Sequence, residues 1–538
     1  MRRFFFPGYY SSPASKRTIL LNIPPVEPGT VGPCPVAPDA LQGIKRQQTN
    51  PARWNGAGWE PFVATLRAAG LDLAEGAAAC GVYLTDAGGT ACGLPHGVVL
   101  ARSAGQIALL LKAAQAHRVP VTVRGGGLTT EGESVAFGGV LLDMTGMSRV
   151  LAIDAAALTV RTEAGIYWHS LAEELRRKNL DYLSAPLNLT SSVGGTLGVG
   201  GIDVNSARLG CSADQALSLQ VVTPTGDVVE CSDDENPELF QRVILGYGQF
   251  GIITEATLRL RPYTPLAMHY FYYSSLRTAI EDLQMLDRND ASDYSGILTI
   301  MDCAVNLLVA FDSAEREAAF RANWKSRLRG HGELGFGLCM AGHYALRPWK
   351  LREALYLLQR KRAVFPEFRR AEYMREGKMH DRTVVFSRAV WKHWGSRNMV
   401  IPDLAMPADR FVEAVERGNA VCRKYFSHYT LYCVGIRLRP EHRPHYEMSC
   451  IPPGAEGWVY GCEFEPMIEG GVYSRDHFQA FKNAIYDIGL DLGGSYYRFG
   501  GMMKGYIRRV FGDELVERHL AMKRRADPAM ILNRDVIF

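Results

Sequence analysis

Two stretches of this chain are almost bare of side chains, and bare backbone can do chemistry that packed side chains cannot. The first is Val-Pro-Val-Thr-Val-Arg-Gly-Gly-Gly-Leu-Thr-Thr-Glu-Gly-Glu-Ser, from Val119 to Ser134. Val119, Val121 and Val123 alternate as a half-buried strand does, and Gly125, Gly126 and Gly127 then break it. Glycines can take φ > 0 and carry no Cβ, so this turn can aim successive backbone N–H groups into one concavity suited to phosphate. A plain tight turn is the alternative. The pattern is not the G-x-G-x-x-G that opens a helix, because Glu131, Gly132, Glu133 and Ser134 continue as loop.

The second stretch, Thr190 to Ile202, has five glycines in the eight positions 194–201. So little side chain lets a flat ligand lie against the main chain. A glycine-rich loop without a ligand is again the alternative.

The rest of the chain must position these two stretches. Its 538 residues suffice for two to four domains, and 47% hydrophobic residues supply their cores. With 60 Lys+Arg against 56 Asp+Glu, the formal charge of +4 gives no argument for nucleic acid or a membrane surface. Eleven cysteines, an odd number without a C-x-x-C, fit neither a disulfide framework nor a zinc site, so reduced and buried thiols are expected. No run reaches 18 apolar residues, and Pro7 with the polar run Ser11 to Arg17 interrupts any secretion signal. The expectation is a cytoplasmic protein with no membrane span.

Residues 1–60 are rich in proline and read as an extended arm that wraps the body or a partner subunit, which leaves a homodimer open. Ser103 and Gln106 have capping-box spacing, and Ile107, Leu110, Leu111 and Ala114 follow at helical intervals. Short strands are expected at Val140–Asp143, Val150–Ile153 and Leu158–Thr162, and a helix over Trp168, Leu171, Ala172 and Leu175. Leu219–Glu230 reads as a hairpin turning at Pro224–Asp227, with a further strand at Leu258–Pro262. From Pro265 on, runs such as Met268–Tyr273 and Leu307–Phe311 alternate with helical stretches such as Ala314–Leu328. The fold class is α+β.

These pieces, in this order, resemble the PCMH-type FAD-binding domain of the vanillyl-alcohol oxidase and cytokinin dehydrogenase superfamily, over about residues 95–262 and the last fifty residues. The resemblance implies a flavin domain at 61–262, an α/β substrate cap built on an antiparallel sheet at 263–489, and a return to the flavin domain at 490–538. It implies FAD as cofactor. In that family the first loop reads about Arg-Gly-x-Gly-His-Ser-x-x-Gly-Gln, and its amides hold the pyrophosphate. Arg124, Gly125, Gly127, Thr129, Gly132 and Glu133 fall on those places here, with Gly126 and Thr130 between them.

The histidine that often carries a covalent flavin falls on Leu128, and the cysteine of doubly linked relatives falls on Asn188. Cap histidines remain as attachment points, at His331, His343, His380 and His393, but none sits in a matching motif, so non-covalent FAD is expected. Ser192, Gly195, Thr196, Gly198 and Ile202 carry over as contacts to the ribityl chain and ring, Gly251 and Ile253 as neighbours of the adenine, and Asn533 as a contact in the closing tail. The aspartate base of cytokinin dehydrogenases falls on Leu187, which argues against cytokinin oxidation.

Tyr497 and Arg498 stand where vanillyl-alcohol oxidase relatives carry a Tyr-Arg pair that binds a phenolate, and they are the catalytic candidates. The competing reading pairs Arg498 with a carboxylate such as Asp491 and leaves Tyr497 as packing. Trp391, Trp394, Trp458, Tyr460 and Phe464 are pocket-wall candidates that read more readily as core. The expected activity is FAD-dependent removal of a hydride from an alcohol, an amine or a carbon beside an aromatic ring. The partners are then a small substrate and oxygen or another electron acceptor. A non-redox use of the same fold is the alternative.

Overall fold

The computed structural model describes residues 54–333 and 401–536, apart from short interruptions, together with Lys378 and Met379. Most of the N-terminal arm, Leu187, Asn188, Trp391, Trp394 and three cap histidines (His343, His380, His393) lie outside the described residues.

Helix α1 (Trp59–Ala68) buries Trp59, Phe62, Val63 and Leu66 against a small sheet. In that sheet β1 (Gly97–Leu100) and β2 (Val121–Arg124) both pair in parallel with the central β3 (Val140–Asp143). Between β1 and β2 the chain forms α2 (Ala104–His117), whose Ser103 Oγ accepts from Gln106 N as the capping spacing predicts. Ile107, Leu110, Leu111 and Ala114 of α2 are fully buried, so the predicted stripe is the face that packs.

A second, antiparallel sheet follows. Its order is β4 (Val150–Asp154), β5 (Thr159–Glu163), then β9 (Ile252–Pro262), β7 (Ala216–Val222) and β8 (Val228–Ser232), with β6 (Leu180–Tyr182) on the far end of β9. The expected strand at Leu258–Pro262 is the second half of the eleven-residue β9. Helix α3 (Trp168–Arg176) packs Trp168, Leu171 and Leu175 on this sheet.

The second glycine-rich stretch differs from expectation. It is not a bare loop throughout but carries a short helix, α4 (Val193–Val199), because Ser192 Oγ caps it by accepting from Gly195 N. Trp168 Nε1 also donates to Thr196 Oγ1 at 2.8 Å. Gly194 is forced by packing: a Cβ there would stand 2.7 Å from that of Ala164. Low helix propensity is overridden by the cap and by close packing. Helix α5 (Pro237–Val243) then leads into β9.

The third sheet lies between residues 266 and 466 and is antiparallel, in the order β13 (Lys378–Met379), β10 (Leu266–Tyr273), β12 (Ala304–Phe311), β11 (Tyr294–Ile300), β15 (Tyr429–Arg437), β16 (Trp458–Pro466), β14 (Asp403–Pro407). One face is covered by α6 (Leu276–Arg288) and α8 (Phe411–Tyr425), which bury Ile280, Leu283, Phe411 and Val415 among Leu307, Leu431 and Phe464. The other face puts Leu308, Tyr432 and Val434 on Val204, which follows α4. Coverage on both sides explains why β15 is buried from Tyr429 to Ile436 instead of alternating. The helix expected over Ala314–Leu328 ends earlier: α7 (Ala314–Asn323) stops at Trp324, and a 3-10 turn covers Lys325–Arg327.

Helix α9 (Arg475–Asp491) joins this cap, and α10 (Lys504–Ala526), kinked at Gly512, brings the chain back. Leu532 then bridges to Val121 beside β2, closing the tail onto the first sheet. Lys523 fixes that return: its buried ammonium donates to Gln249 O, Leu532 O and Asp527 Oδ2, all within 2.8 Å. The mixture of sheets and helices is the α+β class expected from sequence.

The seven described cysteines, Cys80, Cys211, Cys231, Cys422, Cys433, Cys450 and Cys462, are free and buried, as their irregular spacing predicts.

Candidate active site

Both glycine-rich stretches open into one cleft. The first supplies Gly125, Gly126, Gly127, Leu128, Thr129 and Glu133, the second Ser192, Gly195, Thr196, Gly198 and Ile202. Gly251, Ile253 and Asn533 line it further along, and the cap end adds Ile401, Glu463, Tyr497 and Arg498. Fourteen residues expected to meet a cofactor, and both catalytic candidates, thus share one surface.

Two expected contacts, Arg124 and Thr130, stand behind the cleft lining instead. Arg124 is buried, donates from Nη1 to Thr85 O at 2.9 Å and Ser134 O at 3.3 Å, and lies 5.6 Å from the centre of the Tyr83 ring. It ties the loop's two ends to the layer beneath. Thr130 is 1% exposed and its hydroxyl has no partner among the described residues.

The loop is held open from behind by Asp86, whose Oδ2 accepts from Thr129 Oγ1 at 3.0 Å and from Gly132 N at 2.8 Å. Nothing in the local sequence marks Asp86, which lies in a glycine-rich region with no readable pattern. Glycine is required here on two grounds. Gly127 has φ 67°, and a Cβ on it would stand 2.3 Å from Arg124 Nη2. A Cβ on Gly125 would fall 2.0 Å from Ser192 Oγ, so the two bare stretches touch each other. The residues present therefore fit a phosphate-bearing, flat cofactor: a cradle that any side chain would fill, continuous with a glycine-lined slot.

Asn533 seals the opposite wall. Its Oδ1 accepts from Val123 N at 2.9 Å, and its Nδ2 donates to Tyr247 O at 3.1 Å.

At the cap end the expected Arg498 ion pair is present with a different partner. Nε and Nη2 of Arg498 both donate to Asp403 Oδ2, at 2.9 and 2.7 Å, and Glu463 Oε1 lies 3.8 Å from Nη2. Asp491 pairs with Arg417 at 2.7 Å instead. Asp403 Oδ1 also accepts from Tyr497 N, and Tyr497 OH accepts from Gly201 N at 2.9 Å. Tyr497 thus pins the second glycine stretch to the cap and is more than packing. Burial alone would lower the Arg498 pKa, but Asp403 and Glu463 more than offset it and the guanidinium is held charged. Burial raises the Tyr497 hydroxyl, which stays protonated.

Glu463 was missed in the sequence. Burial, reinforced by neighbouring Glu465, raises its carboxyl well above the ordinary range. Glu133, across the cleft, is pushed up to about 8 by burial and by the nearby charges of Asp86 and Glu131. Glu131 itself is turned away, in a buried ion pair with Lys482 and accepting from Tyr486 OH at 2.8 Å.

The remaining aromatic candidates resolve as core: Tyr460 and Phe464 belong to the cap interior. His331 lies on the surface, bonded to Ser274 Oγ at 2.8 Å, and is not among the cleft residues. No group of three or more potential metal ligands occurs among the described residues.

Comparison with known proteins agrees with this geometry. Residues 95–232 match the family described as FAD binding domain. An uncharacterized oxidoreductase of the fasciation locus of Rhodococcoides fascians is 35% identical over 212 residues, 37% of this chain and 47% of that protein. Cytokinin dehydrogenase 7 of Oryza sativa subsp. japonica is 34% identical over 221 residues, 39% of this chain and 41% of its own length. The chain therefore matches less than half the length of these relatives. Among solved structures, 6-hydroxy-D-nicotine oxidase from Arthrobacter nicotinovorans shares the fold with a TM-score of 0.61 at 18% identity, covering 87% of this chain and 98% of that one. The glycine cradle, the slot beside it and the matched segment agree, and residues 95–232 carry an FAD-binding domain.

Proposed function

We propose that the protein is an FAD-dependent oxidoreductase that removes a hydride from an activated C–H bond of a small organic substrate: an alcohol, an amine or a carbon beside an aromatic ring. The observation that carries this reading is the meeting, in one cleft, of the glycine cradle with a buried acid–base cluster from the cap. When bound, FAD supplies the hydride-accepting chemistry and passes the electrons to oxygen or another acceptor.

The chain's own residues do the rest. The cradle at Gly125–Gly127 and the slot from Ser192 to Ile202 bind and orient the cofactor. Leu128 offers no nucleophile at the loop position, so the flavin is held non-covalently. Glu463, its carboxyl raised by burial, lines the cleft as the group placed to take a proton from a substrate O–H or N–H. Arg498, fixed by Asp403, keeps a positive charge beside Glu463 and favours its carboxylate, the form able to accept that proton. Ile401 and Tyr247 wall the site against water.

Anaerobic mixing of the purified yellow protein with a panel of alcohols, amines and phenols tests the proposal. At least one class should bleach the visible flavin band. A protein without flavin, or one that no member of the panel reduces, would leave the fold in a non-redox role.

A further inference from the structure

Glu133 is an anomaly within the cleft. It is 5% exposed, its Oε2 accepts from Glu131 N at 2.8 Å, and its Oε1 has no partner while the side chain lines the cleft. A buried carboxyl oxygen without a partner is costly unless an occupant completes it. Glu463 faces the same space from β16. We infer that Glu133 and Glu463 together select a substrate bearing an amine and hold it as its ammonium.

The charge inventory favours a cation. Glu133 is faced by Asp86, Glu131 and Arg498, and Glu463 by Asp403, Glu465 and Arg498. Of these, Glu131 is matched by Lys482, and Arg498 is committed to Asp403. Tyr247 and Tyr497 stay neutral through burial. Around the open space, carboxyl groups outnumber guanidinium groups, so an anion is disfavoured, and a cation is the occupant that both glutamates can meet as carboxylates. Arg498, already bonded, is not a free fork for a phenolate.

Burial raises Glu133 to about 8 and Glu463 well above the ordinary range, and an ammonium bound between them draws each back toward its carboxylate. The step balances simply. A free ammonium plus a protonated glutamate gives a bound ammonium–carboxylate pair and one proton released to solvent. The identity of the substrate class rests on the flavin reading, but this binding signature does not require turnover.

The test uses the flavin-loaded protein without oxygen and matched probes: benzylamine with benzyl alcohol, cyclohexylamine with cyclohexanol, and benzoate. Binding is followed by shifts in the flavin spectrum and by calorimetry in two buffers of different ionisation heat at neutral pH. Amines should bind at least about tenfold more tightly than their alcohol partners and release close to one proton, while benzoate binds weakest. Compared with the parent at equal flavin content, Glu133→Gln and Glu463→Gln should each lose about tenfold or more in amine affinity, with less proton release. If no amine outbinds its alcohol partner, or if both variants keep the parent preference, the inference is overturned. Flavin reduction by alcohols but not amines would overturn it while leaving the oxidoreductase reading intact. Absence of flavin would count against the latter first.

Discussion

Ser192 Oγ occupies the place a side chain on Gly125 would need, since a Cβ there would lie 2.0 Å from that oxygen. The same oxygen caps α4. One contact therefore sets both how closely the two glycine stretches approach and where the slot begins.

Gly125→Ala should push Ser192 away, uncap α4 and lower flavin occupancy of the purified protein by about tenfold or more, as overpacking at such a site costs ~1–3 kcal/mol. Adding Ser192→Ala should restore part of that occupancy, because most of the clash is with Oγ, at the loss of a cap worth about 1 kcal/mol. The flavin-to-protein absorbance ratio reports both. Equal occupancy in parent and Gly125→Ala would place the cofactor elsewhere.

Acid precipitation should release all of the flavin into the supernatant, because Leu128 lines the cleft at the loop position and has no atom to bond it. Colour or fluorescence left on the polypeptide would point to a cap histidine, and the modified peptide would identify which.

Arg498→Lys keeps a positive charge but cannot reproduce the two bonds to Asp403 Oδ2. The variant should retain its flavin, yet reduce it about tenfold to a thousandfold more slowly, the usual loss when a preorganised donor at a reacting centre is removed. Stopped-flow reduction with any active substrate measures this. A rate equal to that of the parent would remove Arg498 from the reaction.

Asp287 gives a pH test away from the cleft. Its pKa is raised to about 7 by burial, with Ser295 Oγ donating to Oδ1. A carboxyl raised in the folded state binds its proton more tightly there than when unfolded, so its stabilising effect is full at low pH and is lost as pH rises through about 7. Between about pH 4 and pH 8 the change is at most roughly 4 kcal/mol, from a shift of about three units. Asp287→Asn should flatten that part of the denaturation midpoint curve. Parallel curves for parent and variant would show that Asp287 is ionised in the native state.

The flavin half was legible because its signals are local. Gly125–Gly127 and the glycines after Ser192 break otherwise regular patterns, and the helix from Ala104 announces itself by its cap and stripe. The cap end was not legible, because its chemistry is made by distant pairs. Asp403 and Arg498 are 95 residues apart, and Glu463 with Glu465 alternates along β16 as the wet face of any strand would. Only the flavin half packed on the cap turns that face into an interior. Asp491 was the natural guess for the Arg498 partner on sequence proximity, but it sits at the end of α9, on the surface beside Arg417.

The buried ammonium of Lys523, bonded to Gln249 O and Leu532 O, has a consequence for biosynthesis. The wall that Asn533 completes at Val123 cannot form while the ribosome still holds the segment after Lys523. Until then the groove stays unsealed and the core of the first sheet lacks Ile531 and Leu532. Cofactor retention thus depends on that segment having docked, and a species in which it is undocked is expected to be colourless.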